Sequence, residues 1–400
     1  MKRIAGRGFA RYLFAMNIPN ATCASPYYSA EHEAFRDQLR RFVAKEIAPY
    51  VDAWDEAGEF PRELYRKASA VGLLQLGYPE EFGGVPTDGF YRIIVSEELS
   101  QAGSGGVNAS LMSHSIGTPP IAALGPEWMK RKLLPEILAG EKISALAITE
   151  PGGGSDVANL RTTARREGDH YVVNGQKMFI TSGMRADYYT VAVRTGGAGM
   201  GGVSLLLIER DRPGFTRNKL RKMGWWASDT AQLFFDDVKV PVDNLIGQEN
   251  AGFIGIMLNF NQERIGLAAG AYGFAKVCLE EAIAYARQRI TFGKPLIHNQ
   301  VIRHKIVDMA MRVNSVKATL ESLAWRVDQG ERPVAEICML KNLATTSLEW
   351  VANEAMQILG GAGYLRGSKV ERIYRETKVM SIGGGSIEIM KDLAARQMGL

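Results

Sequence analysis

GFIGIMLNFNQERIGLAAGAYGFAKVCLEEAIAYARQRI, residues 252–290, is the stretch whose reading decides the fold. Ile256, Phe260, Glu263, Leu267, Gly270 and Phe274 recur at three- and four-residue spacing, which predicts one long helix. Its small residues, Gly266, Ala268, Ala269, Gly270 and Gly273, would let neighbouring helices approach closely. Residues 300–330 and 333–361 read as two more long helices, and Gly360-Gly361 closes the second with a C-cap signal. Long helices with short links predict an antiparallel bundle over 251–400.

Upstream of the bundle the pattern changes. Over 144–250, YYTVAVRT (188–195), VSLLLIE (203–209) and AQLFFDDVKVP (231–241) are strand candidates, the last closed by Pro241. HYVVNGQKMFIT (170–181) carries Asn174-Gly175 between β-branched and aromatic residues and predicts a hairpin turn there. Gly196–Gly202 reads as a flexible loop. Over 29–143 helix returns. Phe35, Leu39, Phe42, Val43 and Ile47 form an apolar stripe after Ser29, a plausible N-cap, and WMKRKLLPEILAGE (128–141) is a short helix stopped by Gly140. The fold class is mainly α with a central β domain. Residues 1–28 are expected to be a disordered extension. They carry Lys2, Arg3, Arg7 and Arg11 and no acid, as a mitochondrial transit segment would, although Met16 could equally be the true first residue.

Composition excludes some classes. A formal charge of +5 is too mild to imply nucleic acid or membrane, and suits a small anionic ligand as well. Cys23, Cys278 and Cys338 are widely spaced, so neither a metal site nor a disulfide scaffold is expected. No apolar run is long enough for a transmembrane helix.

Chemistry is concentrated in a few glycine-bearing stretches. ITEPGGGSD (148–156) allows backbone N–H groups close to a ligand, with Thr149 and Ser155 adding hydroxyls. Read locally it is as well an ordinary tight turn, and it is neither a Walker loop nor GxGxxG. KMFITSG (177–183), RITFGKP (289–295) and QILGGAGY (357–364) follow in order. With these four stretches the chain resembles the acyl-CoA dehydrogenase family from about residue 28 onward.

The resemblance implies an N-terminal helical domain, a middle β-barrel, a C-terminal four-helix bundle, FAD between them, and a homotetramer. It places Ile148, Thr149, Gly154 and Ser155 on the flavin ring and ribityl chain, Phe179 against the ring, and Thr181 near flavin N5. Arg289, Thr291, Phe292 and Gln300 would reach the dinucleotide half of FAD in a neighbouring subunit. Gln357, Gly360 and Gly361 would lie on the adenine side, with Ser386 and Glu388 as further contacts. By residue chemistry alone, Phe179 could be a core strand residue and Arg289 a surface arginine at a helix end.

The family's reaction is α,β-dehydrogenation of an acyl-CoA thioester, with electrons passed to electron-transfer flavoprotein. It needs a base for the α-proton and donors on the thioester carbonyl. Many members carry that base in a Tyr-Glu-Gly-Thr turn. Here MSIGGGSIEIM (380–390) puts Gly384 at the Glu position. Glu263, on the otherwise apolar face Ile256, Phe260, Leu267, Gly270 and Phe274, is a candidate substitute, since a carboxylate there is costly without a purpose, and the resemblance selects it as the base. Arg264 or Arg289 could instead hold Glu263 in a structural ion pair. The isovaleryl and long-chain branches also carry Glu-Arg on this helix. By resemblance the Glu263 backbone N–H and the ribityl hydroxyl would polarise the carbonyl. A glycine at 384 is expected to widen the acyl cavity for a branched or bulky chain, as in the citronellyl-CoA type. Trp225, Trp226 and the FFDD stretch (234–237) are read as structural, and so is His114. A bacterial cytoplasmic location is expected, or the mitochondrial matrix if the leader is a transit segment. An oxidase or monooxygenase on the same scaffold is the nearest alternative. A nucleic-acid-binding flavoprotein relative is another, disfavoured by scattered basic residues.

Overall fold

The computed structural model describes residues 25–400. Lys2, Arg3, Arg7 and Arg11 lie outside the described residues. Tyr27 stacks on Phe90 with ring centroids 5.5 Å apart, and Tyr28 meets the same ring edge-on. The chain is therefore packed before Ser29, and the expected disorder of the extension does not hold for its last two residues.

The N-terminal domain is built from α1 (Ala30–Phe42), α2 (Val51–Ala57), α3 (Glu63–Ala70), α4 (Gly89–Ser100), α5 (Gly105–Leu111), α6 (His114–Gly117), α7 (Pro119–Leu124) and α8 (Glu127–Leu138). Ser29 does cap α1. Its hydroxyl accepts from the His32 N–H, and its own N–H donates to His32 Nδ1 at 3.0 Å, a capping box closed by histidine. The stripe read from the sequence is buried at Leu39, Phe42, Val43 and Ile47, where the helix loosens into a π turn over Val43–Ile47.

The middle domain holds β1 (Ser144–Ala147), β2 (Thr163–Glu167), β3 (His170–Ile180), β4 (Tyr188–Arg194), β5 (Val203–Glu209), β6 (Phe215–Lys219), β7 (Ala231–Pro241) and β8 (Leu245–Ile246). They form one eight-stranded sheet in the order β6-β7-β3-β2-β4-β5-β8, with β1 paired in parallel to β4. The expected turn at Asn174-Gly175 is not there. The β2–β3 hairpin turns after Glu167, and Asn174-Gly175 lies inside β3 at a bulge facing β7. The glycine answers a tertiary demand: a Cβ at Gly175 would stand 2.7 Å from Thr162 Cα, on a backbone at φ +142°.

The C-terminal domain contains α9 (Gly252–Gln288), α10 (Gln300–Asp328), α11 (Val334–Leu359), α12 (Lys369–Ile382) and α13 (Ile387–Gln397). Ala268, Tyr272 and Leu279 of α9 share a core with Val313 and Leu320 of α10 and with Leu340 and Leu348 of α11. Phe90 and Ile93 of α4 enter the same core, which ties the first domain to the bundle. A second seam joins Ile148 and Leu160 of the middle domain to Ile256 near the start of α9. Among the described residues no helix is long and apolar enough to cross a membrane.

Gly175→Ala is expected to lower stability by about 2 kcal/mol, from crowding against Thr162 together with backbone strain. Denaturant unfolding read by far-UV circular dichroism measures it; an unchanged midpoint would contradict the close approach.

Candidate active site

The loop after β1 and the end of β3 form one unit. Lys177, fully buried, donates from Nζ to Ile148 O at 3.0 Å and to Glu150 Oε1 at 2.8 Å. Glu150 in turn accepts from the N–H groups of Arg161 and Thr162. Burial pulls the Lys177 ammonium down to about 8 against the attraction of Glu150. For Glu150 burial works the other way, but Lys177 and the donated N–H groups outweigh it and lower its pKa. The Met178 N–H closes the unit on Thr149 O at 2.8 Å. The next residue, Phe179, has φ +63° and is 66% exposed. A left-handed, outward-facing phenylalanine is strained by about 1–3 kcal/mol, so its surroundings impose the conformation. It is not a core strand residue. Thr181 follows half-buried, Ile148 is buried in the seam with α9, and Gly154 and Ser155 are exposed beside them.

Glu263 lies in mid-α9. The residue is half-buried, but Oε2 is sealed from water and has no hydrogen-bond partner. Burial raises its pKa to about 7, and Arg264 opposes only part of that. Neither arginine holds it in an ion pair among the described residues. Arg264 Nε donates to Gly384 O at 3.4 Å, and its guanidinium lies over the Phe260 ring at 5.7 Å. Arg289 sits at the far end of the same helix, about 39 Å away at 1.5 Å per residue. Arg92 of α4 fixes the neighbouring position, donating to Gln262 O at 3.1 Å and to Gln262 Oε1 at 3.0 Å.

The glycine turn meets α9 directly. Gly384 has φ +66°, and a Cβ there would overlap Leu267 Cδ1, one helical turn beyond Glu263. This corrects the expectation of a widened cavity: the place a side chain at 384 would take is filled by the Leu267 methyl. A second expectation also changes. The Glu263 N–H lies within the hydrogen-bond ladder of α9, so it is not free to polarise a carbonyl. The Gly384 and Gly385 N–H groups have no backbone acceptor among the described residues.

The remaining expected residues lie on other elements. Arg289 closes α9, and Thr291 and Phe292 form the tip of a short hairpin ahead of Gln300, the first residue of α10. The Phe292 ring stands wholly in solvent at φ +50°, while the Thr291 hydroxyl is buried without a partner. Gln357, Gly360 and Gly361 are exposed at the end of α11. Ser386 caps α13, accepting from the Ile389 N–H, and Glu388 is exposed in its first turn.

His114 is buried, its Nδ1 has no hydrogen-bond partner, and burial lowers its pKa to about 4. It is a neutral core histidine. Trp226 is sandwiched between the guanidinium groups of Arg366 and Arg375 and donates to Lys222 O, as a structural residue would. Cys278 and Cys338 are free and buried, and no cluster of metal ligands occurs among the described residues. Sequence reading passed over Lys177 and Glu150. A lysine beside apolar neighbours in KMFI was the available signal, but only the fold brings its acid partner to it.

Three family descriptions match in order: acyl-CoA dehydrogenase N-terminal domain over residues 29–141, middle domain over 145–238 and C-terminal domain over 250–399. The chain belongs to the acyl-CoA dehydrogenase family. It is therefore of an enzyme class that acts on the CH–CH bond of acyl-CoA, whose members are flavoprotein oxidoreductases. A Bacillus subtilis acyl-CoA dehydrogenase is 38% identical over 375 residues, covering 93% of this chain and 99% of the relative. A crystal structure of a putative acyl-CoA dehydrogenase from Mycobacterium smegmatis superposes with TM-score 0.92 at 48% identity, covering 94% of this chain and 99% of that one. A structure described as an electron transferring flavoprotein of Acidaminococcus fermentans gives TM-score 0.90 at 33% identity, with coverage of 94% and 99%.

Replacing Lys177 with Met leaves the Glu150 carboxylate buried beside an apolar chain. The expected loss of stability is about 3 kcal/mol, by chemical denaturation. Glu150→Gln, which keeps an acceptor for Lys177, is expected to lose less.

Proposed function

We propose that this chain converts a branched, medium- or long-chain acyl-CoA to its trans-2-enoyl-CoA, with Glu263 as base, FAD as cofactor and an electron-transfer flavoprotein as acceptor. The observation that carries the reading is the Glu263 carboxyl, with one oxygen buried and unpartnered, on a helix in contact with a turn that has no side chain of its own. A carboxyl raised to about 7 is suited to taking a weakly acidic α-proton near neutral pH.

The residues fit FAD. An exposed, strained Phe179 offers a flat apolar face. Nothing stands within 4 Å of a Cβ built at Gly152, Gly153, Gly360 or Gly361, so a ligand can lie close to the backbone there. Ile148, Thr149, Gly154, Ser155, Phe179 and Thr181 hold the flavin ring and ribityl chain. Arg289, Thr291, Phe292 and Gln300 of a neighbouring copy, with Gln357, Gly360 and Gly361, hold the dinucleotide half, bordered by Ser386 and Glu388. Bound FAD supplies the acceptor for the β-hydride. Glu263 takes the α-proton, and the free amides of the glycine turn donate to the thioester carbonyl.

This assignment requires a neighbouring copy, and a homotetramer is the assembly proposed. It is supported by the fully exposed Phe292 and the 56% exposed Ile290 at the hairpin, an apolar tip that favours cover. The likeness to the Acidaminococcus fermentans structure supports the flavoprotein acceptor, and the Bacillus subtilis relative fits the bacterial setting of the proposed cytoplasmic location.

Anaerobic titration of the holoenzyme with straight and branched acyl-CoAs is expected to bleach the yellow flavin absorbance, most readily with a branched chain. Glu263→Gln is expected to bind FAD and acyl-CoA but reduce bleaching by at least about a thousandfold; turnover surviving that change would remove Glu263 from the mechanism. A base must be ionised, so kcat/KM is expected to fall about tenfold per pH unit below about pH 7. A flat profile from pH 5 to 9 would contradict the assignment.

A further inference from the structure

Among the described residues Lys341 is the other fully buried lysine, and none of the roles above uses it. It lies on α11 in a buried stripe with Ile337, Cys338, Ala344, Thr345 and Leu348, where packing alone would favour an apolar side chain. Its Nζ donates to Ser381 O at 3.1 Å and to Gly385 O at 2.7 Å. The first is a carbonyl of the last turn of α12 and the second belongs to the glycine turn. Arg264, next to Glu263, donates to Gly384 O between them. Two carbonyls of the turn and one of the helix before it therefore face two cations, one from α11 and one from α9.

Burial, and then the nearby Arg264, pull the Lys341 ammonium down to about 8, while Glu349 and Glu388 favour its charge from a distance. A buried ammonium held only by carbonyls is costly, which argues for a task beyond packing. The geometry suggests that task. In a trans peptide the C=O of one residue points opposite to the N–H of the next, so Arg264 on Gly384 O sets the Gly385 amide and Lys341 on Gly385 O sets the Ser386 amide, while its second bond to Ser381 O holds the turn's other flank. Gly384 and Gly385, at φ +66° and +105°, have no side chain to hold them otherwise.

We propose that Lys341 is a positioning residue for the dehydrogenation: it pins the Gly383–Gly385 turn against Leu267, so that the turn's amides stay aimed at the acyl-CoA carbonyl and at a fixed distance from Glu263. The inference rests on the function proposed above.

The test compares holoenzyme carrying Lys341→Met, Lys341→Gln and Lys341→Arg with the natural protein. Hydrogen exchange of peptides spanning 380–388 reads the turn without reference to activity. At Gly384, Gly385 and Ser386 it is expected to quicken about tenfold or more in Lys341→Met, with α9 and the body of α11 unchanged, and to recover in whichever of Gln and Arg keeps the donors. Stopped-flow reduction by acyl-CoA is expected to show a limiting rate lowered about 10- to 100-fold, with acyl-CoA affinity within about threefold of the natural value. A purely structural lysine would instead weaken binding and rate together, or quicken exchange throughout α11. Unchanged exchange at the turn in Lys341→Met overturns the proposal, as does an unchanged limiting rate. Should Lys341→Met not fold, Lys341→Ala, which also removes the donors, carries the same comparison. If the natural protein is bleached by no acyl-CoA, the dehydrogenase reading fails by itself, and the exchange result still decides whether Lys341 holds the turn.

Discussion

A carboxyl group with one oxygen sealed from water and unbonded is the constraint around which the rest of the molecule is arranged. Desolvation disfavours its charge, and nothing nearby repays the full cost. The group keeps that environment because three parts of the fold hold α9 still. Ile256 is anchored in the seam with the middle domain, Arg92 of the first domain holds Gln262, and Leu267 lies under the glycine turn. If any of these contacts loosened, water would reach Glu263 and its pKa would drift back toward that of an ordinary carboxyl.

The two fully buried lysines show one solution used twice. Lys177 holds the loop at Ile148 and Glu150, and Lys341 holds the turn at Ser381 and Gly385. Lys177 secures its segment through the Ile148 carbonyl and the Glu150 carboxylate, and Lys341 through two backbone carbonyls. Glycine lets a ligand come close to the main chain but leaves the chain free to wander. A buried ammonium restores order without adding bulk on the ligand side.

Much of the architecture was legible because its signals are local. The 3.6-residue stripe of α9 and the bounds of β5 and β7 follow from side-chain spacing alone. Glu263 was legible for the same reason, as an acid where the stripe asks for an apolar residue. Lys341 carried the same signal on α11 and was missed, since a lysine amid apolar residues has no meaning until its acceptors are known. Asn174-Gly175 misled because the pair is a good turn former, whereas here Gly175 serves the approach of Thr162 across the sheet. The supposed carbonyl donor at Glu263 failed once α9 proved continuous, because a mid-helix N–H is already engaged.

The amino-acid sequence by itself determined the long helices, the strands β5 and β7, and that an acid sits on a greasy helix face, because those properties depend on neighbours a few positions away. Only the tertiary structure decided that this acid stays unpaired, that Arg264 turns instead to a carbonyl 120 positions along the chain, and that Leu267 fills the room left at Gly384. Desolvation and steric fit arise between residues distant in sequence, and no local pattern records them.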